Sequence, residues 1–578
     1  MSAPAQAVTP VKQRTGAALL ADCLTAAGIT VVFGVPGDTG VAFYDALRDR
    51  TDTLRHVLAR DERHAVAMAD GYARAANRIG AVEVSSGGGT TYAVGGLGEA
   101  YAAGIPVLVV ASDIHRDSRG TGALTEIDQP ALFAAVTKRT YQPTTAAEIP
   151  AAVDDAVRVA TTGRPGPVAV IVGEDVLDEG TGAEPVTDPA GGTLPATRPA
   201  PDPNAVAEAA RLLAAARRPA LLAGSGVHTS GAYRQIAALA DHGIAVATTI
   251  HGKGAIDERS PWSLGVAGNN GGNALANGYL ADAEVVLLVG TRANATDTNG
   301  YTTPPRDATV IAVDIEADLA GRTYPDALRL VGDAAGTLGE LAGALPVPPG
   351  EVLTARRTAV EERRARREPL RYNRSTEPGR LAPEDVLGRL AELVPAGTTV
   401  VADPGTPTPN LAEYWPVAAG RTALAPRGHG PMGYALPAAI GVSFARPGEP
   451  VVALTADGSF AMCCGELETV ARFGLPLVTV QFTNDSLGWI KMLQHLYYEG
   501  RYFGVDPGPI DAVAVARACG LVAVRAHTLD ELDTAVSAAL TGRYPVYVDV
   551  PVPHLIDHVP PVPAWHQALD GDRTRPVY

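Results

Sequence analysis

Short, wholly apolar runs separated by helical patterns recur along most of this chain, and they restrict its fold more than any other feature. "TVVFGV", "IPVLVVAS" and "PVAVIV" alternate with "TGAALLADCLTAAG" and "DERHAVAMADGYARAA" between Thr15 and Leu177. A strand that is apolar on both sides must be buried on both faces, as happens in a parallel sheet covered by helices. The pattern lapses over Asp178 to Pro203, a Pro- and Gly-rich stretch without periodicity that reads as a linker. It resumes with "PALLAG", "IAVATTI", "AEVVLLVG" and "ATVIAVDI", and after a second connector with "TTVVAD", "VVALTA", "LVTVQF" and "YVDV". The expected architecture is α/β: three doubly wound parallel-sheet domains at residues 15–177, 204–345 and 381–552, then a Pro-rich C-terminal tail at 553–578.

A chain of 578 residues exceeds one hydrophobic core and suits about three domains of ~100–200 residues. No apolar run approaches the ~20 residues that cross a bilayer, so a soluble protein is expected. With 47 basic and 63 acidic side chains the balance is −16, which argues against nucleic acid or an anionic membrane as the main partner. Cys23, Cys463, Cys464 and Cys519 lack metal-ligand spacing, and "MSAPAQAVTPVKQR" has no apolar core of a secretory signal, so the expected location is the cytoplasm. "RRTAVEERRARRE", Arg356 to Glu368, places Glu and Arg at helical spacing and reads as an exposed helix, with a polyphosphate cradle as the alternative.

Chemistry enters at "TADGSF", Thr455 to Phe460, where an apolar strand ends on Asp457. The next strand, "LPLVTVQFTN", ends on Asn484, and the carboxyl ends of successive parallel strands share the sheet edge where ligands bind. One carboxylate and one amide oxygen, with a neighbouring carbonyl, are too few to cage a cation alone. Such a set suits Mg2+, which completes its octahedron with phosphate oxygens and water. The amides of Gly458 and Ser459 at the following helix start favour the same anion. Asp-Gly is also an ordinary turn, and that reading stays open at this stage.

"ADGSFAMCCGELETVARFGLPLVTVQFTN" resembles the magnesium and diphosphate motif of thiamine diphosphate-dependent enzymes, with Ala456 for the usual leading Gly and Thr483 for the usual first Asn. "VFGVPGDTGVAFYDAL", "RDERHAVAMADGYARAA" and "SSGGGTTYAVGGLGEAYAAGIPVLVV" are similar to the family's pyrimidine-binding domain; "ADPGTPT" and "GHGPMGYALPAAIG" are similar to its diphosphate-binding domain. The resemblance covers nearly the whole chain and makes block 204–345 the central, nucleotide-fold domain. It implies thiamine diphosphate and Mg2+ as cofactors, with Asp457, Asn484 and the Ser486 carbonyl on the metal and Gly458, Ser459 and Thr406 on the diphosphate. Met432 matches the apolar residue that wedges between the cofactor rings, against a gap-filling core methionine. Glu62, otherwise an ordinary acid at a helix start, matches the carboxylate that bonds the aminopyrimidine and activates the cofactor. Burial that raises its pKa would aid that exchange. Asp38 aligns with a polar position facing the reacting carbon, and His429 precedes the wedge, where proton transfer or substrate orientation is expected; a strand-ending Asp and a loop His are the plainer alternatives. In "LTEID", Thr125 stands where the family motif has a glutamine.

In the family these sites lie between subunits, so a homodimer or homotetramer is implied. The substrate is expected to be a 2-oxo acid. "HLYYEGRYFGVD" and "HVPPVP" resemble the mobile cover of acetolactate synthases, while "DPGTPT", "NDSLGWI" and "GVPGD" look closer to pyruvate oxidases. The expectation is decarboxylation with carboligation to a second carbonyl. The alternatives are a non-ligating decarboxylase, an FAD-dependent pyruvate oxidase-like enzyme, or a non-catalytic scaffold or regulatory homologue. "LLAGSGV", "VGTRANATD" and "VIAVDI" resemble segments that wrap FAD or ADP in relatives, with Arg292 and Asp314 as candidate contacts, but many relatives keep this fold empty and no catalytic flavin is expected.

Overall fold

The computed structural model describes residues 14–188, 191–365 and 377–575. It contains three six-stranded sheets, each parallel throughout. The first holds β1 (Val31–Gly34), β2 (Arg55–Leu58), β3 (Gly80–Val84), β4 (Val107–Asp113), β5 (Thr140–Tyr141) and β6 (Val168–Gly173), in the order β2-β1-β3-β4-β6-β5. The second holds β7 (Pro219–Ala223), β8 (Ala245–Thr248), β9 (Ser263–Val266), β10 (Val285–Val289), β11 (Thr309–Asp314) and β12 (Leu328–Val331), in the order β9-β8-β7-β10-β11-β12. The third holds β13 (Thr399–Ala402), β14 (Ala423–Leu424), β15 (Val451–Ala456), β16 (Leu477–Thr483), β17 (Val522–Arg525) and β18 (Val546–Pro551), in the order β14-β13-β15-β16-β18-β17. The α/β expectation therefore holds, and the first and third sheets share one topology.

Strand order reverses beside β1, β7 and β13, and each reversal opens a crevice at the carboxyl edge of its sheet, where open α/β sheets bind ligands. Sequence decides which faces close around these edges. Alternate residues of β3 face opposite cores: Val82 and Val84 pack with the helix Glu62–Ala76, whereas Ala81 packs with the helices Gly16–Ala26 and Ile149–Thr161. Glu83 shares the face of Ala81 and is the lone acid within that strand.

Three helices join the first sheet to the third: α1 (Glu62–Ala76), α2 (Gly88–Ala103) and α3 (Ala435–Ala445). α1 crosses α3 at Gly71 and Gly441, where a Cβ on Gly441 would stand 1.9 Å from the Met68 carbonyl oxygen. Arg74 lies buried in this contact, 2.6 Å from Asp70 Oδ1 and 3.3 Å from Glu99 Oε1, and the Tyr434 hydroxyl donates to Asp70.

Residues 178–203 do not hang free where they are described. Gly180–Thr181 pairs antiparallel with Arg14–Thr15, and Thr193 bridges Arg78. The expected helix over the basic stretch forms as Gly350–Ala365, with residues 366–368 outside the described ones. Its exposure does not hold at Arg356, which is buried and donates to the carbonyls of Leu213 and Ala216. Those carbonyls end the helix Pro203–Ala215, and a cation there satisfies acceptors that the helix leaves open. Among the described residues no helix is long and apolar enough to cross a membrane.

Gly441→Val is expected to destabilise the protein by about 3 kcal/mol, because the contact is with backbone that cannot rotate away. Urea unfolding of the variant beside the parent checks it. An unchanged midpoint would mean that α1 and α3 do not touch as described.

Candidate active site

The carboxyl edge of the third sheet carries a cavity of about 400 Å³ that opens to solvent at the reversal between β13 and β15. Thr406, His429, Met432, Asp457, Gly458, Ser459, Asn484 and Ser486 all line it. Eight side chains or loops singled out in the sequence thus converge, from segments that follow β13, β14, β15 and β16. Glu62 and Asp38 do not line this cavity. They follow β2 and β1 at the carboxyl edge of the first sheet.

Asp457 begins the helix Asp457–Cys463 and faces the loop after β16: its Oδ1 accepts from Gly458 N at 2.9 Å and its Oδ2 from Asn484 N at 3.1 Å. Burial raises its pKa. Asn484 is buried, yet its Oδ1 has no hydrogen-bond partner. A buried amide oxygen without a partner costs on the order of 1–3 kcal/mol, so the position calls for a donor or a cation. Among the described residues no three His, Cys, Asp or Glu side chains converge as a metal site. A cation between Asp457 and Asn484 therefore depends on amide, carbonyl and ligand oxygens, which suits Mg2+ with a diphosphate.

Room for such a ligand comes from small residues. A Cβ on Gly458 would meet Leu487 Cδ2 at 2.7 Å and Met432 Cε at 2.9 Å. Met432 is 37 % exposed, an unusual state for a methionine that merely fills a core. Trp489, Ile490 and Leu493 give the cavity an apolar wall, and Arg427 supplies a cation. His429 is exposed, with Nδ1 2.6 Å from where a Cβ on Gly98 would stand; its backbone amide donates to Glu99 Oε2 at 2.7 Å.

Three acids given no role in the sequence analysis stand out, and two of them, Glu99 and Asp403, organise these loops. Glu99 also accepts from Gly428 N and Gly430 N, so the first sheet's helix α2 clamps the loop that carries His429. Asp403, fully buried after β13, accepts from Tyr434 N, Ala435 N and Thr455 Oγ1, tying the start of α3 to the strand that ends on Asp457. Glu83 lies under the first sheet's edge. Each had a signal in the sequence: a charge inside an otherwise apolar strand, at a strand end, or inside a helix of small residues.

Glu62 heads α1 behind the N-cap Asp61 and is half-buried. Its Oε1 is 3.3 Å from where a Cβ on Gly89 would stand, and burial raises its pKa. Asp38 is exposed at the first position of a 3-10 turn. Arg292 and Asp314 line a separate cavity of about 100 Å³ at the reversal between β7 and β10, together with Gly226, Gly290 and Asp333. Burial pushes Asp314 up to about 6. Arg427 lines both cavities.

Burial also pushes Asp403 up to about 6 from an ordinary 3.8, so its ionised form costs roughly 3 kcal/mol in the folded state. That cost is absent below pH 3.8, where folded and unfolded states both hold the proton, and complete above pH 6. Asp403→Asn, which can keep the same partners, is expected to gain stability relative to the parent as pH rises from 4 to 7. Paired urea melts across that range check it; a constant difference would show that Asp403 titrates normally.

Models of the thiamine pyrophosphate enzymes match the chain three times: the N-terminal TPP binding domain at residues 14–132, the central domain at 206–341 and the C-terminal TPP binding domain at 403–550. The chain is 33% identical over 546 residues to the probable acetolactate synthase large subunit of Methanocaldococcus jannaschii, covering 93% of this chain and 91% of that protein. It is 30% identical to the acetolactate synthase of Arthrospira platensis over 97% of this chain and 98% of that one. It is 31% identical to the acetolactate synthase isozyme 3 large subunit of Escherichia coli, over 93% and 95% respectively.

Proposed function

Because the chain belongs to the thiamine pyrophosphate enzyme family, we propose that it decarboxylates a 2-oxo acid and joins the retained carbon unit to a second carbonyl, as an acetolactate synthase-like carboligase. It is a thiamine diphosphate-dependent enzyme. The observation that carries the reading of its site is the partnerless Asn484 Oδ1, on a residue whose backbone amide donates to Asp457, in a cavity where Met432 stands exposed.

Thiamine diphosphate supplies a carbon nucleophile and an electron sink for the 2-oxo acid. Asp457, Asn484 and the Ser486 carbonyl would hold Mg2+, and the amides of Gly458 and Ser459, with Thr406, would bind the diphosphate. Met432, exposed on the cavity wall, would pack against the cofactor rings. Glu62 holds and returns a proton at the aminopyrimidine, and its raised pKa favours the exchange. His429 and Asp38 orient the reacting carbonyl or pass it a proton. The apolar wall of Trp489, Ile490 and Leu493 offers no proton donor on that side, which favours capture by a second carbonyl.

Glu62 and Asp38 are absent from the cavity of their own chain, so they act in the cavity of a second copy, in a homodimer or a homotetramer built as a dimer of dimers. Four free thiols suit a reducing cytoplasm. The central cavity lies where its sheet's strand order reverses, as nucleotide sites in open α/β sheets do, and an FAD or ADP bound there would take no part in the chemistry. A purified protein that is yellow and loses activity with its flavin would overturn that.

Saturating thiamine diphosphate with Mg2+, at a hundredfold over Kd, is expected to stabilise the parent by about 2.7 kcal/mol. Asp457→Ala abolishes this gain, and a calorimetric titration with unchanged affinity would refute the metal site. Glu62→Gln keeps cofactor binding but slows deuterium exchange at the thiazolium C2 by about a hundredfold or more; fast exchange in the variant removes Glu62 from its role. Incubation with 2-oxo acids singly and in pairs, read by carbon dioxide release and product mass, identifies the substrates. Release without ligated product would favour the simple decarboxylase.

A further inference from the structure

Beneath the carboxyl edge of the first sheet lies a set of polar groups that the proposed chemistry does not use. Glu83, 1 % exposed in the middle of β3, accepts from the Tyr44 hydroxyl at Oε2, and the same hydroxyl is 3.2 Å from His56 Nε2. Its other oxygen, Oε1, is buried and has no partner. Oε1 and the Ser112 hydroxyl flank one point above Gly40, 2.8 and 3.4 Å from where a Cβ on that residue would stand. Ser112 Oγ is 2.8 Å from Thr39 Oγ1, which in turn is 3.3 Å from Ser86 Oγ, and Ser86 Oγ is 2.7 Å from Thr125 Oγ1.

This file of exchangeable groups runs from a half-buried histidine to the loop 85–89. That loop lies between the two site residues of the first sheet: Ser85 Oγ is 2.2 Å from a Cβ position on Gly37, next to Asp38, and 2.9 Å from one on Gly89, which Glu62 Oε1 also approaches. We propose that His56, Tyr44 and Glu83, continued through Ser112, Thr39 and Ser86, form a buried proton relay that serves the loop between Asp38 and Glu62. It rests on the reading that this loop faces a proton-exchanging reaction.

The balance of the relay is simple. Glu83 gives its carboxyl proton towards Ser112 through one bridging water and takes the proton of Tyr44; Tyr44 takes one from His56 Nε2, and His56 regains one from solvent at Nδ1. Ser112, Thr39 and Ser86 each pass one proton on as they gain one, and the proton that leaves Ser86 is the one the reaction consumes when a 2-oxo acid anion loses carbon dioxide; each relay atom loses one bond to hydrogen as it gains another, and bulk water is the source. The protonation states fit. Burial pushes Glu83 up to about 8, so the carboxyl holds its proton at neutral pH, and burial raises the Tyr44 hydroxyl as well. The ionisable groups that bear on Glu83 are Tyr44 and Glu62, with His56 reached through Tyr44; His56 is held down to about 4 by burial and Arg472. The 3-10 turn Asp38–Gly40 and β4 contribute only the hydroxyls of Thr39 and Ser112 at this point.

Gly40 is essential to the relay for space rather than conformation: its φ of −95° suits any residue, but an added Cβ would block the gap between Glu83 and Ser112. Two variants test the proposal on the full chain. Infrared spectroscopy of the cofactor-free protein at neutral pH should show a protonated-carboxyl band that vanishes in Glu83→Gln and shifts in Gly40→Ala. With cofactor and substrates, both variants should keep KM but lose kcat by about a hundredfold, the low end for a positioned acid–base group, with an enlarged solvent deuterium effect. Absence of the band from the parent, or an unchanged kcat and isotope effect in Glu83→Gln, overturns the relay. If the parent itself turns over no 2-oxo acid, the functional reading has failed instead, and the infrared comparison still decides the protonation of Glu83.

Discussion

The Arg74 guanidinium, sealed between Asp70, Glu99 and the Tyr434 ring, is the contact on which the arrangement of the outer sheets depends. Its partners come from α1, α2 and the residue preceding α3, so a single cation fixes the first sheet against the third. Removing one partner of such a buried group leaves a charge without compensation, at a cost of about 3–5 kcal/mol, whereas an apolar replacement of the whole set would cost less. The network therefore specifies a geometry more than it adds stability. Glu99 extends that geometry to the candidate site, because its carboxylate also holds the backbone of residues 428–430.

A second constraint acts at the sheet edges. Parallel strands place all their carboxyl ends on one side, and the reversal of strand order opens a crevice there in each sheet. The segments around those crevices carry acids whose burial favours the protonated form: Asp403 and Asp457 at strand ends of the third sheet, and Glu83 within β3 and Glu62 at the start of α1 in the first. Glu83, pushed up to about 8, holds its proton at neutral pH, which suits acid–base work better than a solvated carboxylate would.

Much of this was legible in the sequence. Runs such as "PVAVIV" and "VVALTA" imply strands buried on both faces, and the spacing of Asp457 and Asn484 implies a shared sheet edge, because both follow from local periodicity. Glu99, Asp403 and Glu83 were not singled out, since their partners lie far along the chain and no periodicity links them. Arg356 shows the same limit: its helix follows from spacing, but its burial follows from the end of a helix at Ala215 that has no local trace in "RRTAVEERRARRE".

The sequence by itself determined that three parallel sheets form and which strand ends carry acids, amides and glycines, because apolar alternation and turn chemistry act over a few residues. Only the tertiary structure decided that eight of those residues share one cavity while Glu62 and Asp38 sit on another sheet's edge, and that Arg74 and Glu99 lock the two together. Which loops meet depends on strand order and helix crossing, and those are settled by packing between segments hundreds of residues apart rather than by any local pattern.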